Sequence, residues 1–352
     1  MPERIYLDHA ATTPLLPAAR EAMAEALARW HNPSSPHAEG RAAKAALEDA
    51  RARVAAALGW EGKVIFTSGA SEALQIALQR AEAGRRYVSA VEHDAVFRAA
   101  PGAERLRVDG NGIVLLRKQE PSGSKGDVFA VQHANNETGV IQPLDWIAEA
   151  VREKGGLLLA DCAQTAGKLP LPDADMIAIS AHKFGGPPGV GALLLRGLAM
   201  VEAVGGQEQG YRPGTENLPG ILGMAAALEA GREWMQEAAG LRDRLEAALE
   251  RAGGEVVAQA SERIATIGAY RMPGVASNAQ LIQFDMAGIA VSAGSACSSG
   301  SLKTSHVLAA MGWPEESARE VVRVSFGRST TREEVDRFIE LWAQLARRKR
   351  AA

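Results

Sequence analysis

Two short polar groups in the chain each follow directly after an apolar run, at residues 161–164 (Asp-Cys-Ala-Gln) and 180–183 (Ser-Ala-His-Lys). Parallel α/β sheets present ligand sites at the carboxyl ends of their strands, so we expect Asp161 and Lys183 to face one crevice. A lysine that forms a Schiff base and a carboxylate that keeps a pyridine nitrogen protonated are the pair that pyridoxal phosphate chemistry requires. The simpler alternatives are that Asp161 caps a helix and that Lys183 is a surface charge.

A phosphate site must accompany this pair, and residues 67–72 (Thr-Ser-Gly-Ala-Ser-Glu) follow a strand-like run and open a helix-like one. The backbone amides of such a turn, the Ser71 hydroxyl and the helix N-terminus suit an anion. The stretch 210–215, which contains Gly and Pro, adds the guanidinium of Arg212 and the hydroxyl of Thr215. Taken alone, each stretch also fits an ordinary turn.

The chain has two cysteines, Cys162 and Cys297, too few for a disulfide framework, which favours a reducing compartment. Cys297 lies in a run of small residues, 292–301, that offers little apolar anchorage. Because the thiolate is the reactive form of cysteine, a thiol in such a loop is a candidate nucleophile. Cys162 ends an apolar run beside Asp161, and we expect it to pack in the interior.

The elements that must position these residues follow from the hydrophobic pattern. Two helices are predicted first, over residues 18–30 and 41–58. Apolar runs of strand length then alternate with helix-like stretches, at residues 64–67, 87–89, 128–131, 157–160, 176–179 and 192–195. This alternation predicts a mostly parallel sheet covered on both faces. Long helices from about residue 220, followed by strand-like runs at 264–270, 280–284 and 321–326, predict a second, smaller α+β domain.

Composition excludes several classes of function. Lys and Arg number 39 against 42 Asp and Glu, a net charge of −3, so the chain has no long-range attraction for nucleic acid or an anionic membrane. No run approaches the ~20 mostly apolar residues of a bilayer span. The first residues include an acid and no apolar run, so we expect no signal peptide and a cytoplasmic protein.

Taken in chain order, these segments resemble the class V branch of fold-type I pyridoxal phosphate enzymes, and specifically cysteine desulfurases of the NifS/IscS type. The resemblance covers nearly the whole chain, and the motifs taken together in this order are far more specific than any single motif. It is carried by YLDHAATTP (6–14), NPSS (32–35), FTSGASE (66–72), EH (92–93), NNETG (135–139), DCAQ (161–164), SAHK (180–183), RPGTEN (212–217), GSACSS (294–299) and RVSFG (323–327).

The resemblance implies that Lys183 holds pyridoxal phosphate as a Schiff base and that Asp161 pairs with the pyridinium nitrogen. His93 is implied to stack on the ring and to act in proton transfer, and Gln164 to bond the phenolic oxygen of the ring. Phosphate contacts are implied for Ala70, Ser71, Ser180 and His182, with Thr215 reaching in from the second subunit of a homodimer. No metal is implied.

The resemblance also implies a substrate and a reaction. Asn136 is implied to touch cofactor and substrate, and Arg323 to clamp the carboxylate of L-cysteine. Cys297 then takes the sulfur as a persulfide, L-alanine leaves, and an acceptor protein receives the sulfur for iron–sulfur cluster assembly or for tRNA or cofactor thiolation. The implied fold is a large domain (15–235) with a seven-stranded, mostly parallel sheet, and a small α+β domain (1–14 and 236–352) that bears Cys297.

The sequence departs from the family at three places. Residues 73–75 are Ala-Leu-Gln where an Asn pair is common, Gln209 stands where an arginine is usual, and we expect the chain to lack the scaffold-docking extension of housekeeping members. The last departure puts the usual scaffold partner in doubt. Two other interpretations stay open: a selenocysteine lyase or other class V lyase or aminotransferase, and a non-catalytic sulfur carrier or assembly subunit of the same fold. The set of Lys183, Asp161 and His93 argues against the carrier.

Overall fold

The computed structural model describes residues 4–29, 31–82, 84–116, 126–293 and 304–351, with backbone alone for 349–351. Its helices are α1 (Pro17–Ala28), α2 (Ala38–Leu58), α3 (Ala70–Arg80), α4 (Asp94–Ala99), α5 (Leu144–Glu153), α6 (Leu218–Glu229), α7 (Met235–Arg251), α8 (Ser277–Met286), α9 (His306–Ala310), α10 (Glu315–Ala318) and α11 (Arg332–Ala351). Its strands are β1 (Ile5–Tyr6), β2 (Lys63–Thr67), β3 (Arg86–Ser89), β4 (Glu104–Leu106), β5 (Val128–Gln132), β6 (Leu157–Asp161), β7 (Met176–Ser180), β8 (Gly191–Leu195), β9 (Glu255–Val256), β10 (Ile267–Arg271), β11 (Ile289–Ala290) and β12 (Val321–Ser325).

The main sheet has seven strands in the order β2-β8-β7-β6-β5-β3-β4. Only β8 runs in the direction opposite to the other six strands, so the predicted seven-stranded, mostly parallel sheet is confirmed. The apolar runs of the sequence account for six of these strands. The seventh, β4, was not predicted, because an edge strand of three residues that contains Glu104 and Arg105 has no apolar run.

Both faces of this sheet are covered, as the alternating pattern predicted. Side chains on a strand alternate between the two faces of the sheet. Phe66 on β2 packs into the hydrophobic cluster formed with α2, α5 and α6. The adjacent Ile65 packs into the cluster on the other face, formed with α3 and α4. α2 begins at His37, whose Nδ1 accepts from the Gly40 amide, and ends at Gly59, which has the left-handed φ of 65°. Apolar packing on both faces fixes the strand ends from which the site is built.

A second, antiparallel sheet of order β12-β10-β9 lies in the C-terminal part, with α7, α8 and α11 packed around it. Its core includes a stack of aromatic rings, in which the Phe338 centroid lies 4.7 Å from that of Phe284 and 5.8 Å from that of Trp342. Leu7 joins the same core from the N-terminal segment. Within the described ranges, no helix combines the length and apolar character that a membrane crossing needs.

The strand predicted at residues 280–284 is wrong, because this stretch lies within α8. The helix buries Gln280 and Phe284, four residues apart on one face, and leaves Ile282 exposed. The side-chain Nε2 of Gln280 donates to the backbone carbonyl oxygens of Val275 at 2.7 Å and Glu320 at 2.8 Å. An apolar run of four or five residues fits either a strand or one turn of a buried helix, and tertiary packing decided between them.

The aromatic stack gives a direct test of what holds the C-terminal sheet to its helices. Phe338→Ala removes a fully buried ring and is expected to lower the free energy of unfolding by about 3–5 kcal/mol. Ile282→Ala, on the exposed face of α8, is the control and is expected to change it by less than about 0.5 kcal/mol. Chemical denaturation measures both, and equal effects would contradict the packing described.

Candidate active site

A cavity of about 400 Å³ lies where β5, β6 and β7 end and α3 begins. It is lined by ten of the predicted site residues: Ala70, Ser71, His93, Asn136, Asp161, Gln164, Ser180, His182, Lys183 and Arg323. Asp161 and Ser180 are the last residues of β6 and β7, which are parallel neighbours, and Lys183 follows in a short 3₁₀ turn, Ala181–Lys183. The expectation of one crevice at the carboxyl ends of these strands therefore agrees with the structure.

One end of the cavity is a turn suited to an anion. Ala70 and Ser71 open α3, and the preceding Gly69 lies so close to β8 that a Cβ on Gly191 would be 2.6 Å from the Gly69 Cα. Helix N-termini present unpaired amides to anions, and the absent side chain leaves the backbone accessible. Ser180 reaches the same turn, because its Oγ would lie 3.5 Å from a Cβ on Gly69.

Arg212, a candidate phosphate contact, is held on a carboxylate instead. Its Nε donates to Glu72 Oε1 at 3.0 Å, and the other oxygen of Glu72 accepts from the Ser68 amide. Burial raises the pKa of Glu72, but the Ser68 amide and Arg212 outweigh it and hold this pKa below its ordinary value. Arg212 thus braces the anion-binding turn through the ionised Glu72.

Lys183 is held at the floor of the cavity by two backbone carbonyls. Its Nζ donates to the oxygens of Ala10 at 2.7 Å and Ala11 at 2.8 Å. The Gln164 Nε2 also donates to Ala10, at 3.0 Å, while the buried Gln164 Oε1 has no hydrogen-bond partner among the described residues. No role was predicted for Ala10 or Ala11, because a contact through a backbone carbonyl leaves no side-chain signal in the sequence.

Asp161 and His93 form the electrostatic centre of the cavity. Asp161 is buried and its Oδ1 accepts from the Ala163 amide at 2.9 Å. Burial raises its pKa above the ordinary value, and the Ala163 amide, His93 and Lys183 oppose the rise. Burial lowers the pKa of His93, with Asp161 opposing, so we expect a neutral imidazole near pH 7.

The orientation of the His93 ring is fixed by the helix that it starts. His93 caps α4, and its Nδ1 accepts from the Ala95 amide at 3.2 Å. A nitrogen that accepts carries no proton, so in the neutral ring the proton is on Nε2. The preceding Glu92 is fully buried, and burial raises its pKa well above the ordinary value while the Gln132 amide opposes and Asp161 adds to the rise. Burial thus favours the protonated form of Glu92, which its place in the sequence did not indicate.

Arg323 is buried, although its alternation with apolar residues on β12 alone would suggest a solvated face. One terminal nitrogen donates to Asp8 Oδ1 at 2.7 Å and the other to the backbone oxygen of Asn136 at 2.9 Å. Arg323 also lines a second cavity of about 400 Å³, bordered by Ala293 and Thr304. A buried guanidinium between two cavities is suited to bind a carboxylate.

Three remaining predictions concern Thr215, Cys297 and Cys162. Thr215 is exposed and does not line it, so its contact with the cofactor of a second subunit stays a prediction. Cys297 lies outside the described residues. Cys162 packs in the core beside Thr165, and burial raises the pKa of its thiol far above the ordinary range, in agreement with a packing role. No group of residues suited to a metal ion is found in the described part of the chain.

Comparison with known proteins finds similarity over nearly the whole length of the chain. The family model for Aminotransferase class-V matches residues 5–338. The chain belongs to the class V aminotransferase family. A cysteine desulfurase from Cereibacter sphaeroides is 37% identical over 99% of this chain and 97% of its own length. The structure of a NifS-like protein from Rickettsia africae ESF-5 has a TM-score of 0.88 at 30% identity, over 97% of this chain and 99% of that one. The structure of SspA in complex with cysteine has a TM-score of 0.80 at 27% identity, over 93% and 100%.

Members of the class V aminotransferase family use pyridoxal phosphate, and the residues around the cavity fit this cofactor. A buried carboxylate, a primary amine, an imidazole and a helix N-terminus are present together. The orphaned oxygen of Gln164 marks a buried polar position that a ligand would satisfy. The chemistry of the donors therefore matches the phosphate, the ring nitrogen and the aldehyde carbon of the cofactor.

Lys168 is a buried amine that the sequence did not single out. It is 4% exposed and lines a small cavity together with Lys183. Burial, together with the positive charge of Lys183, lowers its pKa to about 7. Its side chain gives no pattern in the sequence, since a lysine after Gly167 is typical of a surface turn.

The perturbed amine of Lys168 predicts a pH-dependent stability. Lysine in an unfolded chain has a pKa of about 10.4, so between pH 7 and 10 the unfolded state binds more protons and the free energy of unfolding rises with pH. Below pH 7 the folded protein bears the full cost of a buried ammonium. Each pKa unit corresponds to ~1.4 kcal/mol, so Lys168→Met is expected to raise the free energy of unfolding at pH 6 by about 2 kcal/mol or more. The variant is also expected to show a smaller increase in the free energy of unfolding between pH 7 and 10.

Denaturation curves of both proteins at pH 6, 8 and 10 measure the effect, with the exposed Lys44→Met as control. A parallel pH dependence for Lys168→Met and the parent would contradict a buried amine with a lowered pKa.

Proposed function

We propose that this protein is a cysteine desulfurase, which removes sulfur from L-cysteine with bound pyridoxal phosphate, releases L-alanine and keeps the sulfur as a persulfide on Cys297. The observation that carries the proposal is the cavity on which ten separately predicted residues converge. A relative that is 37% identical over 99% of the chain bears the name cysteine desulfurase. Lys183, Asp161 and Arg323 supply the amine, the carboxylate and the guanidinium that the reaction needs.

The cofactor assignments follow from the chemistry of each side chain. Bound pyridoxal phosphate supplies a sink for the electron pair left on the substrate carbon. We assign Lys183 Nζ as its attachment through a Schiff base, Asp161 as the partner of its ring nitrogen, and Gln164 as the partner of its phenolic oxygen. The phosphate is assigned to the N-terminus of α3, with contacts from Ala70, Ser71, Ser180 and His182 and from Thr215 of a second subunit.

Proton transfer is assigned to Lys183 and His93. We assign Lys183 Nζ to take the Cα proton of the substrate, and the carbonyls of Ala10 and Ala11 would keep the amine at the cavity floor. Burial keeps the His93 imidazole neutral, so it can accept a proton and give it back near pH 7. Asn136 and Arg323 position the substrate, with Arg323 on its carboxylate.

Sulfur transfer is assigned to Cys297. Its thiolate forms a bond to the substrate sulfur while the Cβ–S bond breaks, and the electron pair of that bond stays with the carbon skeleton, which takes up protons to become alanine. Ala293, four residues before Cys297, lines the cavity that Arg323 shares, and four residues span at most about 14 Å. This chain length is compatible with the proposed attack by Cys297 on a substrate held by Arg323.

The remaining assignments concern assembly. We assign residues 15–235 to a large cofactor domain and residues 1–14 with 236–352 to a small domain that carries Cys297. Two copies form a homodimer, to which the exposed Thr215 contributes. The persulfide sulfur then passes to an acceptor protein, for iron–sulfur cluster assembly or for thiolation of tRNA or a cofactor, in the cytoplasm.

The role of Cys297 is testable by substitution. Cys297→Ala is expected to abolish persulfide formation with L-cysteine while the absorbance of the bound cofactor is retained, because Lys183 and Asp161 are untouched. Cys162→Ala, the matched control, is expected to form persulfide at nearly the parental rate, since that thiol is fully buried. Release of sulfide and alanine by Cys297→Ala at the parental rate would overturn the assignment. If Cys297→Ala turned over selenocysteine but not cysteine, a selenocysteine lyase would be favoured.

The role of Arg323 is testable by a change that keeps its charge. Arg323→Lys removes the planar two-pronged donor face, and a lost hydrogen bond to a charged group costs ~1.5–3 kcal/mol, so the KM for L-cysteine is expected to rise about 10- to 100-fold. Arg319→Lys, an exposed arginine at the second cavity, is the control. Steady-state kinetics compare them, and equal KM values would rule out the carboxylate contact.

A further inference from the structure

The short helix α9 begins just after residues 294–303, and its first turn contacts the site at two places. At the first, Ser305 Oγ donates to Glu137 Oε2 at 2.5 Å, and both side chains are buried. The same hydroxyl caps α9 by accepting from the Leu308 amide at 3.1 Å. Glu137 follows directly on Asn136, so this hydrogen bond connects α9 to the loop that carries a predicted substrate contact.

The second contact is made by His306. Its Nε2 lies 2.9 Å from the backbone oxygen of Glu92, and because a carbonyl only accepts, His306 Nε2 carries the proton and donates. Its ring also packs edge-on against Phe97 of α4, with centroids 5.4 Å apart. Glu92 precedes His93, so this contact connects α9 to the turn that carries the imidazole.

The two loops that receive these contacts are themselves held firmly. Asn135 Oδ1 accepts from the amides of Glu137 at 2.9 Å and Thr138 at 2.8 Å, which closes the loop around Asn136. His93 caps α4, as described above. A turn attached to two such loops has little freedom to shift, because each shift breaks a buried hydrogen bond.

We propose that Ser305 and His306 are positioning residues for sulfur transfer, which hold the C-terminal end of the segment bearing Cys297 in register with Asn136 and His93. This inference rests on the proposed function. Attack on the substrate sulfur requires the reacting atoms to lie within about 3–3.5 Å, and a misplacement of about 1 Å costs up to about 100-fold in rate. Cys297 precedes Ser305 by eight residues, which span at most about 28 Å, so the position of Ser305 sets an upper limit on the reach of the thiol.

The test separates sulfur transfer from the preceding proton transfer. Ser305→Ala and His306→Phe remove one hydrogen bond each, and His306→Phe keeps the ring contact with Phe97. In both holoenzymes we expect exchange of the Cα proton of L-alanine with solvent deuterium to stay within about twofold of the parent. Single-turnover formation of the Cys297 persulfide is expected to fall about 10- to 100-fold.

Two further variants complete the experiment. Ser305→Thr keeps the hydroxyl and is expected to restore most of the persulfide rate. Thr304→Ala is the matched control, because the Thr304 hydroxyl donates only to the exposed Glu315 among the described residues, at 3.1 Å, and we expect a parental rate. If Ser305→Ala loses its fold, His306→Phe decides alone.

Parental persulfide rates in Ser305→Ala and His306→Phe, or an equal loss of proton exchange and persulfide formation, would overturn the inference. If the parental enzyme itself forms no persulfide, the proposed function fails, and the two failures are thereby distinguished.

Discussion

Burial of a carboxylate beside an amine is the constraint on which the rest of this site depends. An ion taken out of water costs several kcal/mol unless partners replace its hydration. At Asp161 the partners are the Ala163 amide, the positive charge of Lys183 and the His93 ring, each of which opposes the effect of burial on the pKa of the carboxyl. These groups come from separate stretches of chain, and the adjacent, parallel β6 and β7, apolar along their length, fix two of them at one sheet edge.

The N-terminal segment joins this centre to the C-terminal part of the chain. Leu7 packs in the core around β10 and β12, Asp8 pairs with Arg323 of β12, and the carbonyls of Ala10 and Ala11 hold the Lys183 amine. Within five residues the segment thus contacts both Arg323 and Lys183. A displacement of the C-terminal sheet against the large sheet would disturb both contacts, which makes this segment the structural link between Arg323 and Lys183.

Much of the fold and the site followed from the sequence, because strand ends in a parallel sheet carry side chains to one edge. Asp161 and Lys183 were found in this way, and the collinear motifs added His93, Gln164 and Arg323. The missed features depend on contacts that no local pattern records. The carbonyls of Ala10 and Ala11 act without side chains, Lys168 is buried by segments distant in sequence, and residues 280–284 form a helix because one face meets an aromatic core.

The measurement that tests the account most directly is a single turnover of the holoenzyme with L-cysteine, followed by quantification of L-alanine and mass spectrometry of the cysteine-containing peptides. The account predicts one L-alanine per active site, together with one additional sulfur atom on the Cys297 peptide and none on the Cys162 peptide. Alanine formed in full while Cys297 stays unmodified, or sulfur found on Cys162, would contradict it.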